Sequence, residues 1–203
     1  FIVSTMKSKR SSILAAATWL FANKGFRETS TTEVARLTGS ADGTLFYHFE
    51  SKEKLFLAVL EDVRRRIDLA FAEFLPTTDD LSGLEFFEAV VAFYLEIAAE
   101  YEAQFMLLHR HHAYDLAKVD DNCRVLLEGI YDRIIRTIED AIRRGQEDTT
   151  MGSVPVHKTA LLVYTMIDGL VRLRHYNLYD ASSLFDDFMT GCRRLVRADD
   201  SGE

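Results

Sequence analysis

A chain of 203 residues, 48% hydrophobic and 28% charged, has room for one large domain or two modest ones around a sizeable core. That composition excludes a disordered or fibrous protein, and the absence of any run of 18 or more apolar residues argues against a membrane-spanning helix. The formal charge of −8 is unevenly shared: residues 1–54 hold 8 Lys+Arg against 5 Asp+Glu, and residues 55–203 hold 16 against 27. A basic head on an acidic body can approach phosphate with one end only. Cys123 and Cys192 match no metal or redox spacing, which predicts buried free thiols in a reducing cytoplasm.

Phe1–Thr5 precede Met6 and are set aside. Lys7, Lys9 and Arg10 ahead of the uncharged stretch Ser11–Ala22 have the outline of a signal peptide. Ile13, Leu14, Ala17, Leu20 and Phe21 nevertheless form a helical stripe, and Ser11, Ser12 and Thr18 interrupt the apolar run. The pattern predicts a folded helix over 8–23 that stops at Gly25, with Trp19, Phe21 and Phe26 in its core. Ser30 and Glu33 are spaced for a capping box that opens a short helix through Thr38, closed by Gly39. A third helix is expected over 42–49. Ser51 caps a long fourth from Lys52 towards Leu75, stopped by Pro76. Residues 76–83 read as a loop and 84–117 as one or two aromatic-rich helices. Leu126, Ile130, Ile134, Ile138 and Ile142 give 122–144 one apolar face. Pro155 suits the first turn of a helix over 155–177, and a last helix spans 182–197. The expected fold class is all-α, with a three-helix domain at 8–54 and a larger helical domain at 55–197.

The second and third helices, joined by a tight turn, have the pattern of a helix-turn-helix. Such a motif needs a small residue at the helix crossing, which is Ala35, and a residue tolerant of positive φ in the turn, which is Gly39. Leu45 and Phe49, four apart, bury one side of the third helix. Asp42, Gly43, Thr44, Phe46, Tyr47 and His48 are left for the major groove or its rim. Residues 13–55 resemble the DNA-binding domain of the TetR family of repressors. The resemblance is carried by Ala-Ala before Leu20-Phe21, Gly25-Phe26, Thr29-Ser30, Val34-Ala35, Gly39, the stretch Gly43–Phe49, Lys52-Glu53 and Leu55. It implies phosphate contacts at Thr31 and Thr32, backbone clamps at Tyr47, His48 and Lys52, and base contacts at Thr44 and Phe46. Lys7, Lys9 and Arg10 would add an N-terminal arm on phosphate or in the minor groove. Ser40, Asp42 and Phe46 depart from the family pattern. The Asp42 carboxylate accepts from cytosine's amino group but repels phosphate, so a relative's operator does not carry over.

The resemblance also implies a C-terminal domain that binds a small molecule and dimerises through its last two helices. The seams would comprise Leu161, Leu162, Thr165, Gly169 and Arg172, then Phe185, Phe188, Met189 and Cys192. The expected partners are a palindromic double-stranded DNA operator, a second copy of the chain, and a hydrophobic or aromatic effector, with no membrane and no cofactor. Tyr94, Phe105, His109, Tyr131 and Asp168 are the expected effector contacts, drawn from aromatics that suit an ordinary core equally well. An effector preferring another helix arrangement would alter operator affinity through the helix from Lys52 to Leu75. His109, His111, His112 and Asp115 share helix faces but lack further ligands for a metal, and read as a solvated helix end. None of the six histidines follows a glutamate by three residues, and no P-loop, Gly-x-Ser-x-Gly or Gly-x-Gly-x-x-Gly occurs, so no enzyme is expected. The alternative left open is a helical protein-binding adaptor without DNA affinity, against which the Thr44–Lys52 stretch speaks.

Overall fold

The computed structural model describes residues 8–197, and among these are ten α-helices and no strand. They pack as two compact units: residues up to Arg66 with Ala103–Glu128, and Ile67–Glu102 with residues from Gly129 onward. This partition follows packing; the functional division expected at 54/55 is a separate matter.

In the first unit, α1 (Lys9–Asn23) begins at Ser8, whose hydroxyl accepts from the Ser11 amide. Its predicted stripe is buried, from Ile13 to Phe21. Trp19 is not core: it lies off that stripe and is 53% exposed. Gly25 turns the chain at φ +91°, and Phe26 is half-buried behind it. In α2 (Thr31–Leu37) the Ser30 hydroxyl accepts from the Glu33 amide as expected, while the Glu33 carboxylate pairs with Lys24 Nζ at 2.8 Å. α1 packs on α2 and α2 on α3 (Asp42–Phe49), with Val34, Ala35, Leu45 and Phe49 buried. Gly39 takes φ +58°, as the tight turn demands.

The first unit also recruits residues that the sequence placed elsewhere. α6 (Glu102–Leu108) and α7 (His111–Ala117) lie wholly or almost wholly in it, and α4 (Lys52–Phe74) and α8 (Asp121–Glu147) begin there. Arg110 donates to the carbonyls of Ala22 and Asn23 at 2.8 and 2.7 Å, closing the C-terminal end of α1. His112 stacks on Phe26 with centroids 3.7 Å apart, and Phe56 meets both rings edge-on.

The second unit contains the rest of α4 and α8, then α5 (Gly83–Glu100), α9 (Val156–His175) and α10 (Phe185–Val196). Leu75–Thr78 form a 3₁₀ turn through Pro76, and Gly83 opens a helix instead of ending a loop. The reason is a second capping box, Ser82 with Glu85. Arg144 reaches back to the Thr78 carbonyl at 2.7 Å, with its guanidinium over the Phe86 ring. Ile130, Ile134, Ile138 and Ile142 are all buried, confirming the stripe of α8. Residues 84–117 break into three helices where Tyr101 ends α5 and Arg110 precedes α7. Pro155 is the N-cap of α9, not its first residue, and a 3₁₀ turn at Ala181–Leu184 leads into α10. Cys123 and Cys192 are free and buried, and burial pushes both thiols up to about 11. No helix among the described residues is long and apolar enough to cross a membrane.

Candidate nucleic-acid interface

The surface is built on the two faces of α3. Leu45 and Phe49 lock one face into the first unit at 0% and 4% exposure, leaving Phe46 at 47% and Tyr47 at 85% on the other. Gly43 is exposed, while Thr44 and His48 are half-buried beside them. The Tyr47 and His48 rings meet edge-on at 5.4 Å. Asp42 begins α3, but its side chain lies outside the described residues.

A hollow of about 500 Å³ collects Thr31, Phe46 and Lys52 around its rim. Arg27, Ser30 and Ser51 line it too. Sequence reasoning gave Ser30 and Ser51 only capping roles and missed Arg27, whose place depends on how the turn after α1 folds against α4. Thr32 is exposed next to Thr31. Lys52 Nζ sits 4.4 Å above the Phe26 ring and 3.4 Å from the Arg27 carbonyl. On the opposite partner of that ring, burial, Lys52 and Arg27 together lower the basicity of His112.

The expected basic arm is employed differently. Lys9 Nζ donates to the carbonyls of Thr38 and Gly39 at 3.0 and 3.2 Å, where α2 ends, and the Arg10 guanidinium lies over Phe49. Lys7 lies outside the described residues. Ser40 fits its turn by bonding its hydroxyl to that of Thr38 at 2.8 Å. Between α3 and α4, Glu50 adopts φ +62° and ψ −46°, and the Ser51 amide donates to the Phe49 carbonyl at 2.6 Å. This is a strained γ-turn, and it sits next to the hollow.

Of the expected effector contacts, Tyr94, Tyr131 and Asp168 fall in the second unit, and Phe105 and His109 in the first. Tyr94 is buried on α5 and donates its hydroxyl to Asp168 on α9 at 3.1 Å. Tyr131 joins them through Tyr164, 5.8 Å from it and 6.2 Å from Tyr94. Tyr164 was legible only as one of many aromatics, although it precedes Asp168 by one helical turn. Phe105 is fully buried and His109 half-buried. An open, largely apolar cleft of about 450 Å³ lies along α5 and α9, walled by Leu95, Leu170, Val171 and Phe185 with Glu96 and Arg174.

The seam residues of α9 are exposed: Leu161, Leu162, Thr165, Gly169 and Arg172, joined by Met166. On α10, Phe185 is exposed and Phe188 half-buried, but Met189 and Cys192 are buried within the second unit. Those two are therefore core, because the stripe of α10 turns inward after its first turn.

Comparison with known proteins agrees with this arrangement. The family model described as bacterial regulatory proteins, tetR family, matches residues 13–59. The HTH-type transcriptional regulator TtgR of Pseudomonas putida is 25% identical over 186 residues, 88% of this chain and 85% of that protein. The HTH-type transcriptional regulator QacR of Staphylococcus aureus is 46% identical over 48 residues, 24% of this chain and 26% of that one. In fold, a regulatory protein in the tetR family from Rhodococcus RHA1 superposes with a TM-score of 0.76 at 19% identity, covering 95% of this chain and 99% of that one. The match to the tetR family lies in residues 13–59, the segment that holds α2 and α3, and the chain is a DNA-binding transcriptional regulator.

Proposed function

We propose that residues 8–54 read a palindromic operator, and that residues 55–197 carry an effector site and the contact between two copies. The protein is then a cytoplasmic, ligand-responsive repressor acting as a homodimer. The observation that carries this reading is the two-faced α3, which buries Leu45 and Phe49 while holding Phe46 and Tyr47 in solvent. Thr44 and Phe46 meet base edges, where a Thr hydroxyl or an aromatic edge can contact a thymine or its neighbours. Gly43 lets the backbone approach, and Asp42 accepts from a cytosine amino group. Thr31, Thr32, Tyr47, His48 and Lys52 hold phosphates, which positions the helix without reading sequence. The exposed apolar face of α9 supports contact with a second copy, and the cleft and tyrosines of the second unit support a hydrophobic or aromatic effector. Such an effector alters operator affinity only by its preference between two arrangements of the protein.

Selection from a random duplex library, followed by fluorescence anisotropy across a salt series, tests the reading. The expected result is an enriched palindrome whose binding weakens with salt, with a log–log slope of about 0.9 per phosphate contacted. Tyr47→Ala should weaken binding about tenfold or more on every sequence, while Thr44→Ala should relax preference at one position at a cost of about 1–3 kcal/mol. Absence of enrichment at low salt, with and without cell extract, would overturn the reading in favour of a helical protein-binding module.

A further inference from the structure

Few of the positive charges near α3 are free to meet phosphate. Residues 1–54 hold 8 Lys+Arg, of which Lys7 lies outside the described residues. Lys9 is committed to the carbonyls that end α2, Arg10 to the Phe49 ring, and Lys24 to both oxygens of Glu33 at 2.8 Å. Arg27, Arg36, Lys52 and Lys54 remain, and of these Arg27 and Lys52 line the hollow of about 500 Å³ beside Thr31 and Phe46.

The local fold sets Arg27 there. After the positive-φ turn at Gly25, the Thr29 amide donates to the Phe26 carbonyl at 3.3 Å, and the buried Thr29 hydroxyl donates to the Gly25 carbonyl at 2.8 Å. These two bonds close a turn in which Arg27 is the first central residue, exposed and without an ion pair among the described residues. Lys52, at the start of α4, donates to the Arg27 carbonyl at 3.4 Å with its Nζ 4.4 Å above the Phe26 ring. The ammonium is thereby kept beside residue 27. Two hydroxyls complete the lining: Ser30 accepts from the Glu33 amide and Ser51 from the Lys54 amide, each at 3.1 Å. Each hydroxyl still has its own proton to donate to an anionic oxygen. Glu28 and Glu50 also line the hollow and oppose an anion, so a guanidinium beside the ammonium decides whether the hollow attracts phosphate. A guanidinium moreover offers parallel N–H groups to phosphate oxygens, which an ammonium does not.

We infer that Arg27 is a contact to the DNA backbone: with Lys52 and the hydroxyls of Ser30 and Ser51 it holds a phosphodiester group in the hollow beside α3. The inference deepens the reading of α3 as the helix that faces the operator, and adds a contact from the turn between α1 and α2. Phe46 lines the same hollow, so a phosphate held there registers the base-facing side of α3 on the duplex. Arg27 is a positioning residue in this role, because a phosphate carries no sequence information.

The test is fluorescence anisotropy of the full chain on the duplex enriched by selection, at several salt concentrations. Arg27→Gln is expected to weaken binding about tenfold per bound copy at about 0.1 M salt, and to lower the log–log salt slope by about 0.9 per copy. The loss should be equal on the enriched duplex and on a scrambled one. Arg27→Lys keeps the charge and should restore the slope, with affinity within about threefold of the parent. Glu28→Gln removes an opposing charge and should strengthen binding. Lys118→Gln removes an equal positive charge just beyond α7, where Lys118 pairs with Asp115, and should leave the slope unchanged. Duplexes carrying a neutral methylphosphonate at each position in turn locate the contact: one substitution in each half-site should weaken the parent and leave Arg27→Gln unaffected. Helix content and thermal melting of each variant confirm that it is folded. An unchanged slope for Arg27→Gln on a duplex that the parent binds, or no methylphosphonate position at which the two proteins differ, would remove Arg27 from the contact and leave the regulator reading standing. A parent that binds no duplex at low salt would remove both.

Discussion

Glycines show how differently one residue type can act in one chain. An added Cβ at Gly83 would lie 1.9 Å from the Gly145 backbone nitrogen and 2.1 Å from its Cα. No rotamer relieves an overlap with backbone, so α5 and α8 would have to separate there. Gly83→Ala is expected to destabilise the protein by about 3 kcal/mol, read from the urea midpoint at constant m-value. At Gly43 an added Cβ meets nothing within 4 Å, and the residue lies in the first turn of α3. Gly43→Ala should therefore leave stability unchanged or raise it by up to about 0.5 kcal/mol, so any loss of operator affinity it causes arises at the DNA surface. Gly39 was legible in the sequence because its turn is local. Gly83 was not, since its meaning depends on a partner 62 residues away and it read as the end of a loop.

At the level of elements, the start of α5 is capped from two directions. Its own Ser82 and Glu85 form the local box, while Asp148 accepts from the Gly83 amide at 2.6 Å and Thr150 from the Leu84 amide at 3.1 Å. The Thr150 hydroxyl, the Gly83 amide and the Thr150 amide hold the Asp148 carboxyl below its ordinary range, and Ser82 does the same for Glu85. A carboxyl whose folded value is depressed stabilises fully above its unfolded value, near 4, and loses that contribution as pH falls through the folded value. Thermal melting should accordingly weaken below about pH 4. Asp148→Ala should lower the melting temperature at pH 7 by a few degrees and flatten the acid limb, because the linked carboxylate is gone. Parallel acid limbs for the variant and the parent would assign the acid sensitivity to other groups. The spacing of Ser82 and Glu85 is a cap signature in the sequence, masked by Gly83, which by itself suits the end of a loop. The contribution of Asp148 had no sequence signal at all.

For the whole molecule, the asymmetry of charge and the exposed face of α9 bear on function together. Leu162 is 56% exposed and Met166 40%, with Leu161 beside them, on a helix whose other face buries Val163, Ile167 and Val171. If this face joins two copies, Leu162→Glu places two like charges across an apolar contact. Sedimentation should then report a monomer with unchanged helix content. Operator affinity should fall by about 10²–10⁴, the gain that a second linked half-site provides. A dimer that survives Leu162→Glu would place the contact elsewhere. The acidic residues of 55–203 keep that part from phosphate, so operator binding depends on the small basic surplus of residues 1–54.

By itself the sequence determined the features that depend on neighbours within a few residues. The helical class follows from periodicity, the boundaries of α1 to α4 from caps and Gly stops, and the two faces of α3 from the spacing of Leu45 and Phe49. The tertiary structure alone decided what depends on distant partners. It placed Arg110 and His112 against α1 and Phe26, turned Lys9 and Arg10 onto the helix-turn-helix, and directed Met189 and Cys192 inward. It also gathered Tyr94, Tyr131, Tyr164 and Asp168 from three helices into one corner. Helical period and capping act over one or two turns, whereas the partner of a buried polar or aromatic side chain is set only when the helices pack.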